Sequence, residues 1–89
     1  MRAVITVLGH DKIGIIYNVT RVLAENKVNV LDISQTILQD YFTMVMIVDI
    51  EKSELKFEAL QERLDDLGKE MELSIRIQHQ EIFDSMHRI

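Results

Sequence analysis

The sequence contains no cysteine. Disulfides, cysteine-based zinc or iron–sulfur sites and thiol catalysis are therefore excluded, and the composition fits a reducing compartment. Long apolar runs are also missing, because no stretch approaches the ~20 residues of a membrane-spanning helix. The first apolar run ends at Gly9, too early for a signal peptide. We therefore expect a cytoplasmic protein with no membrane partner.

Basic residues are few, with ten lysines and arginines against fifteen aspartates and glutamates and a net charge of −5. This balance disfavours nucleic acid or an anionic membrane as a partner. The hydrophobic fraction of 47% over 89 residues is sufficient for a core. We expect one domain spanning residues 1–89, small enough for pairing with another subunit to add stability.

The spacing of apolar residues predicts four strands and two main helices. Alternation indicates strands at 3–8, 28–38, 41–50 and 71–78, and helical spacing indicates helices at 15–25 and 54–67. Gln39 and Asp40 form a break of hairpin length. Ser53 is predicted as the N-cap of the second helix and Gly68 as the residue after its C-terminus. The tail from Ile82 to Ile89 predicts one or two further helical turns.

The order βαββαβ predicts an α+β fold, the ferredoxin-like sandwich. In this fold a four-stranded antiparallel sheet carries two helices on one face, with the first and third strands central. The third strand is apolar on both faces, so the uncovered face would keep large side chains in water. We expect a homodimer, formed through sheet faces or edge strands. The alternative is that the C-terminal turn folds back over this patch.

The segment from Gly9 to Gly14 connects the first strand to the first helix. Unpaired N–H groups at a helix start favour an anion or carboxylate, and glycine lets a ligand approach the backbone. The spacing of the two glycines is that of a phosphate-binding loop, but Ile15 and Ile16 replace its Lys-Ser/Thr pair, which excludes that mechanism. On the residues alone, the glycines could instead only permit the turn, with Asp11 only capping the helix.

Other functions of the same fold find little support. His10, His79 and His87 have no metal-binding spacing, so no metal and no cofactor is expected. The first strand lacks the aromatic side chains of an RNA-binding sheet. Arg21 lies about two helical turns beyond Gly14, too far for an acylphosphatase arginine. No catalytic residue can be assigned, and we do not expect an enzyme.

Two segments together resemble the ACT domain family. They are Gly9-His10-Asp11-Lys12-Ile13-Gly14-Ile15, similar to the D-R-P-G-[IL] turn of that family, and Val28-Asn29-Val30, similar to its N-[IV] pair. The chain is most similar to small stand-alone ACT proteins of the glycine-cleavage regulator type. One departure is Ile13, which stands where many members have proline, so the turn is less fixed.

The resemblance implies a regulatory domain that binds a small molecule, often an amino acid, at an interface between two domains. Carried over by position, the ligand-binding residues are Gly9, His10, Asp11, Lys12, Ile13, Gly14, Ile15 and Asn29. Because no catalytic or DNA-binding domain is attached, a signal would pass to a separate protein partner. The alternative is a protein-interaction module of the same fold that does not bind a ligand.

Overall fold

A computed structural model describes residues 1–86 of the chain. Its elements, in order, are β1 (Arg2–His10), α1 (Ile15–Glu25), β2 (Asn29–Leu38), β3 (Tyr41–Asp49), α2 (Phe57–Met71), β4 (Leu73–His79) and α3 (Gln80–Met86). The predicted βαββαβ order and the helical tail are confirmed, although residues 87–89 of that tail lie outside the described part.

The four strands form one antiparallel sheet in the order β2-β3-β1-β4. The prediction that the first and third strands are central is therefore confirmed. Arg2 pairs with Asp49 at one end of the sheet, and His10 pairs with Tyr41 at the other. We call these the Arg2 end and the His10 end.

The core lies between the sheet and the two long helices. Alternate residues of each strand point toward the helices, since side chains in a strand alternate between faces. The largest side chains that are completely buried are Ile5, Leu23, Met44, Met46, Leu60 and Leu64. Burial of each such side chain contributes about 1.5–3 kcal/mol. This inner face therefore accounts for most of the packing energy.

The opposite, outer face of the sheet is only partly covered. The short helix α3 folds back against β1 and β4, and the Gln78 amide approaches the Met86 sulfur at 3.6 Å. Val4, on the outer face, is consequently 3% exposed, whereas Leu8, four residues along the same strand, is 48% exposed. The C-terminal turn thus covers the Arg2 end of this face and leaves the His10 end open.

The start of α2 differs from the prediction. The helix begins at Phe57, with Lys56 at the N-cap position and no side-chain capping bond. Ser53 is wrongly predicted as the N-cap, because its hydroxyl instead accepts a hydrogen bond from the Leu55 N–H at 3.2 Å. A local serine turn therefore competes with capping and delays the helix by one turn.

The end of α2 also differs from the prediction. Gly68 lies inside the helix, which continues to Met71 and ends where Glu72 adopts a left-handed conformation, with φ 57°. A Cβ at Gly68 would lie 2.7 Å from the carbonyl oxygen of Leu73. The glycine is therefore needed for close packing of α2 against β4 and not for termination of the helix.

Candidate ligand-binding site

The turn that precedes α1 consists of residues 11–14, because β1 continues through His10. Gly14 is the N-cap residue of α1, in a left-handed conformation with φ 92°, and no side chain caps the helix. Asp11 therefore does not act as a cap in this structure. The backbone N–H groups in the first turn of α1 have no partner within the helix, and they can donate hydrogen bonds to an anionic ligand.

The turn is fastened to the β2–β3 hairpin on one side. The Asp11 N–H donates to the Asp40 carbonyl oxygen at 2.7 Å. His10 Nδ1 lies 3.3 Å from Asp40 Oδ2, and its ring stacks on Tyr41 with ring centroids 4.9 Å apart. The Asp11 carboxylate is exposed and has no ion-pair partner among residues 1–86. It remains available to a cationic group of a ligand.

On its other side, the turn is held to α2 by the side chain of Lys12. Its ammonium group donates to the carbonyl of Met71, the last residue of α2. A cation at this place satisfies a carbonyl without a helical partner and interacts favourably with the helix dipole. The positive charge of Lys12 is thus directed at α2, although the resemblance assigns this residue to the ligand.

The remaining turn residues divide between the core and the surface. Ile15 is buried in the core, so only its backbone is available to a ligand, while Ile13 is fully exposed. Gly9 lies within β1, where an added Cβ would meet the Leu73 side chain at 2.5 Å. Packing against β4 accounts for this glycine without a ligand.

Asn29 is not close to the turn within one chain. It pairs with Asp49 at the Arg2 end of the sheet, whereas the turn follows His10 at the opposite end. Eight residue steps along β3 separate the two ends, a distance of about 26 Å. The two parts of the predicted site therefore lie at opposite ends of the same sheet.

Asn29 lines a cavity of about 180 Å³ with four charged residues, Lys27, Asp49, Glu51 and Lys52. The Glu51 N–H donates to the Asp49 carboxylate at 2.9 Å, and this bond is the main reason that the pKa of Asp49 is lowered. Asp49 therefore stays ionised well below neutral pH. A polar group of a ligand would meet both signs of charge here.

Lys27, which lines the same cavity, forms an ion pair with Glu54 at 2.7 Å. The hydrogen bond between them raises the pKa of Lys27 and lowers the pKa of Glu54. Both groups are therefore charged at neutral pH. Asn29 is the uncharged residue among the five that line the cavity.

The structure adds a feature that the sequence pattern did not reveal. Nine of the ten residues of β2 are exposed, so neither face of this strand is covered. Four cavities have volumes between about 180 and 600 Å³, and none of these four is lined by a residue of the turn.

Residues 1–86 contain no group of three or more histidine, cysteine or acidic side chains placed to hold a metal ion. His10 stacks on Tyr41, and His79 stacks on Phe57 with ring centroids 4.1 Å apart. His87 lies outside the described residues. Within the described residues, no helix is long and apolar enough to cross a membrane.

The order of the strands, with a helix that begins at Gly14 directly after the first strand, defines a ferredoxin-like domain. A family model for the ACT domain matches residues 2–78. The chain belongs to the ACT domain family, as the two sequence segments indicated.

Close relatives match over the whole chain. A UPF0237 protein from Clostridium acetobutylicum is 52% identical over 89 residues, covering all of both chains. The structure of an ACT domain protein from Streptococcus pneumoniae is 39% identical and superimposes with a TM-score of 0.81 over 94% of each chain.

More distant structures share the fold. A putative glycine cleavage system transcriptional repressor is 23% identical with a TM-score of 0.75, over 86% of this chain and 44% of that one. The regulatory subunit of aspartate kinase from Thermus thermophilus is also 23% identical, with a TM-score of 0.68 over 86% of this chain and 50% of that one.

Proposed function

We propose that this chain is a regulatory domain, without catalytic activity, that binds an amino acid as a cytoplasmic homodimer and signals to a separate protein partner. The observation that carries the proposal is the separation of about 26 Å between the turn and Asn29, combined with an uncovered edge strand. A second copy can bring the two parts together, as the following geometry indicates.

The edge strand β2 favours pairing with another copy. Natural edge strands are usually short or carry lysine, proline or other features that prevent pairing. The ten residues of β2 contain no lysine, arginine or proline, and Asp32 is their single charge. Ile33 and Ile37, on the side of the sheet that carries the helices, are exposed because no helix extends over them. A second β2 would cover this edge.

A twofold axis perpendicular to the sheet makes two paired β2 strands antiparallel, so the Arg2 end of one sheet lies beside the His10 end of the other. Each Asn29, which is far from the turn of its own chain, then lies at the same end of the combined sheet as the partner's turn. Two identical sites result, each with a turn from one chain and Asn29 from the other. Such an arrangement is self-complementary, as a twofold interface requires.

The chemistry of these groups fits an amino acid. The free N–H groups of the first turn of α1 favour a carboxylate. The Asp11 carboxylate and the Asn29 amide oxygen can accept hydrogen bonds from an ammonium group. A ligand held by two chains favours one dimer arrangement over others, and that shift in population is what a protein partner would detect.

Thermal unfolding in the presence of each common amino acid tests ligand binding. A ligand at about 100 times its dissociation constant stabilises the protein by about 2.7 kcal/mol, which raises Tm by roughly 10 °C or more in a chain of this size. Asn29→Ala should remove the rise, whereas the matched change Gln61→Ala, on exposed α2, should keep it. If no amino acid raises Tm, the ligand proposal is wrong and the interaction module is favoured.

Sedimentation velocity tests the pairing through β2. We expect a dimer that becomes monomeric in Ile33→Lys, because a charge in the middle of an edge strand opposes pairing. Gln61→Lys introduces the same charge on α2 and should leave the dimer unchanged. An Ile33→Lys variant that dimerises as strongly as the wild-type chain would contradict this interface.

A further inference from the structure

The strand β4 forms the second free edge of the sheet. It lies at the end of the strand order and, within residues 1–86, pairs only with β1. Pairing of two copies through β2 uses the opposite edge and leaves both β4 strands at the ends of the combined sheet. Alternate N–H and C=O groups along such an edge point away from the sheet and can pair with one further strand.

A groove of about 370 Å³ follows this edge between α2 and β4. Its lining includes Leu73 and Ile75, which are apolar and point toward the helices. An added strand would direct alternate side chains toward this groove. The charged groups that α2 and its end contribute to the lining are Asp65, Lys69 and Glu72, which together do not attract an acidic side chain. The helix side of the edge therefore favours apolar residues in an added strand.

The outer side of β4 is polar and positively charged. Ser74, Arg76 and Gln78 lie on this side, since they alternate with the buried residues of the strand. Arg76 is exposed and has no ion-pair partner among residues 1–86. Opposite charges on neighbouring strands stabilise their pairing, whereas like charges oppose it. The outer side therefore favours an acidic residue beside Arg76.

Arg76 also disfavours a second copy of the chain at this edge. It is the central residue of β4, which runs from Leu73 to His79. In a full antiparallel pairing of two β4 strands, each Arg76 would lie opposite Arg76 of the other copy. Like charges in that position oppose pairing, and a charged residue on an edge is a common means of preventing self-association. A strand with acidic residues does not meet this obstacle.

We propose that the edge of β4 binds an extended segment of the protein partner, in which apolar residues alternate with acidic residues. The segment adds to the sheet as a further strand beside β4. Main-chain hydrogen bonds supply the affinity, while the groove and Arg76 supply the specificity. The inference rests on the proposed function in that it names the kind of partner to which the domain signals.

The candidate ligand turn is connected to this edge. Lys12 donates to the carbonyl oxygen of Met71, and β4 begins two residues later at Leu73. Glu72, between them, has a left-handed conformation with φ 57° and lines the groove. Coupling between sites is carried by contiguous contacts of this kind. A ligand that shifts Lys12 would therefore act on the backbone beside the groove.

Titration of isotope-labelled protein with a synthetic peptide tests the proposal, followed by amide NMR spectra and hydrogen exchange. The probe is a seven-residue peptide of alternating valine and glutamate, which matches the length of β4. The control peptide has lysine in place of glutamate. Both are added up to millimolar concentration, because so small an interface is weak. We expect the glutamate peptide to shift the amide signals of residues 73–79 and to slow exchange of the amides that point away from β1.

Reversal of the charge at Arg76 provides the matched variant. Arg76→Glu should lower affinity for the glutamate peptide by about tenfold and raise affinity for the lysine peptide, because it exchanges attraction for repulsion across the two strands. Arg63→Glu, on exposed α2, should change neither affinity. Equal binding of both peptides to the wild-type chain, or signal shifts confined to β2, would overturn the proposal.

Failure of the ligand proposal can be distinguished from failure of this inference. If no amino acid raises Tm but the glutamate peptide binds at β4, the docking edge stands and the interaction module is favoured. If an amino acid raises Tm but the glutamate peptide does not bind, the docking edge alone is wrong.

Discussion

Replacement of Gly68 by alanine should destabilise the protein, although helix propensity alone predicts the opposite. Inside a helix, alanine is favoured over glycine by about 1 kcal/mol. In this structure, however, the new methyl group would lie 2.7 Å from the Leu73 carbonyl oxygen. This oxygen belongs to the backbone of β4, which is held by its pairing with β1, so it cannot move as the end of a side chain can.

Overpacking of this kind costs about 1–3 kcal/mol, which exceeds the propensity gain at most values in that range. We expect a net loss of about 1 kcal/mol, or a fall in Tm of roughly 4–8 °C, in thermal unfolding followed by circular dichroism. Asp66→Ala is the matched control, because Asp66 is exposed on the same helix and its replacement should raise stability by about 0.5 kcal/mol. A rise in Tm for Gly68→Ala would refute the close packing of α2 on β4.

Two further predictions concern the same scaffold. Gly9→Ala should cost less than Gly68→Ala, because its Cβ would meet the end of a leucine side chain that can change rotamer for about 0.5–1.5 kcal/mol; equal losses in urea unfolding would contradict this. Glu54→Gln should lower Tm at neutral pH and low salt, because it removes the ion pair with Lys27. Since the pairing lowers the pKa of Glu54 from its ordinary value of 4.5, the wild-type advantage should be present above that pH and disappear as the pH falls through the lowered pKa. It should also shrink in salt, and a difference that persists at pH 2 would show that charge is not its cause.

The fold could be predicted largely because its signals are local. Two-residue alternation and helical spacing located each strand and helix, and the two-sided apolarity of β3 identified a central strand. The ends of α2 could not be predicted in the same way. Ser53 and Gly68 have the residue types of helix ends, but contacts with Leu55 and Leu73 determine what they do. The contact of Gly68 with Leu73 depends on tertiary packing, whereas Ser53 forms a local serine turn that competes with helix capping.

The candidate site could be predicted only in part. The start of α1 after Gly14 follows from the order of residues and is confirmed, whereas Gly9, predicted as part of the turn, lies within β1. The sequence could not predict that Lys12 contacts the end of α2, because Met71 is 59 residues away in the chain. Nor could the sequence pattern show that β2 is uncovered, since its apolar residues alternate like those of a buried strand.

Mixing of two defective variants tests the central claim, that each ligand site combines a turn from one chain with Asn29 from the other. Asp11→Ala and Asn29→Ala should each lose binding of the amino acid that stabilises the wild-type protein, by about 10-fold or more, since each removes hydrogen bonds to a charged group. Both residues are exposed, so the fold should persist. In a mixed dimer one site receives both changes and the other receives neither. After subunit exchange in an equal mixture, isothermal titration should show wild-type affinity in about a quarter of all sites. A mixture that binds no better than its two components would contradict the shared site.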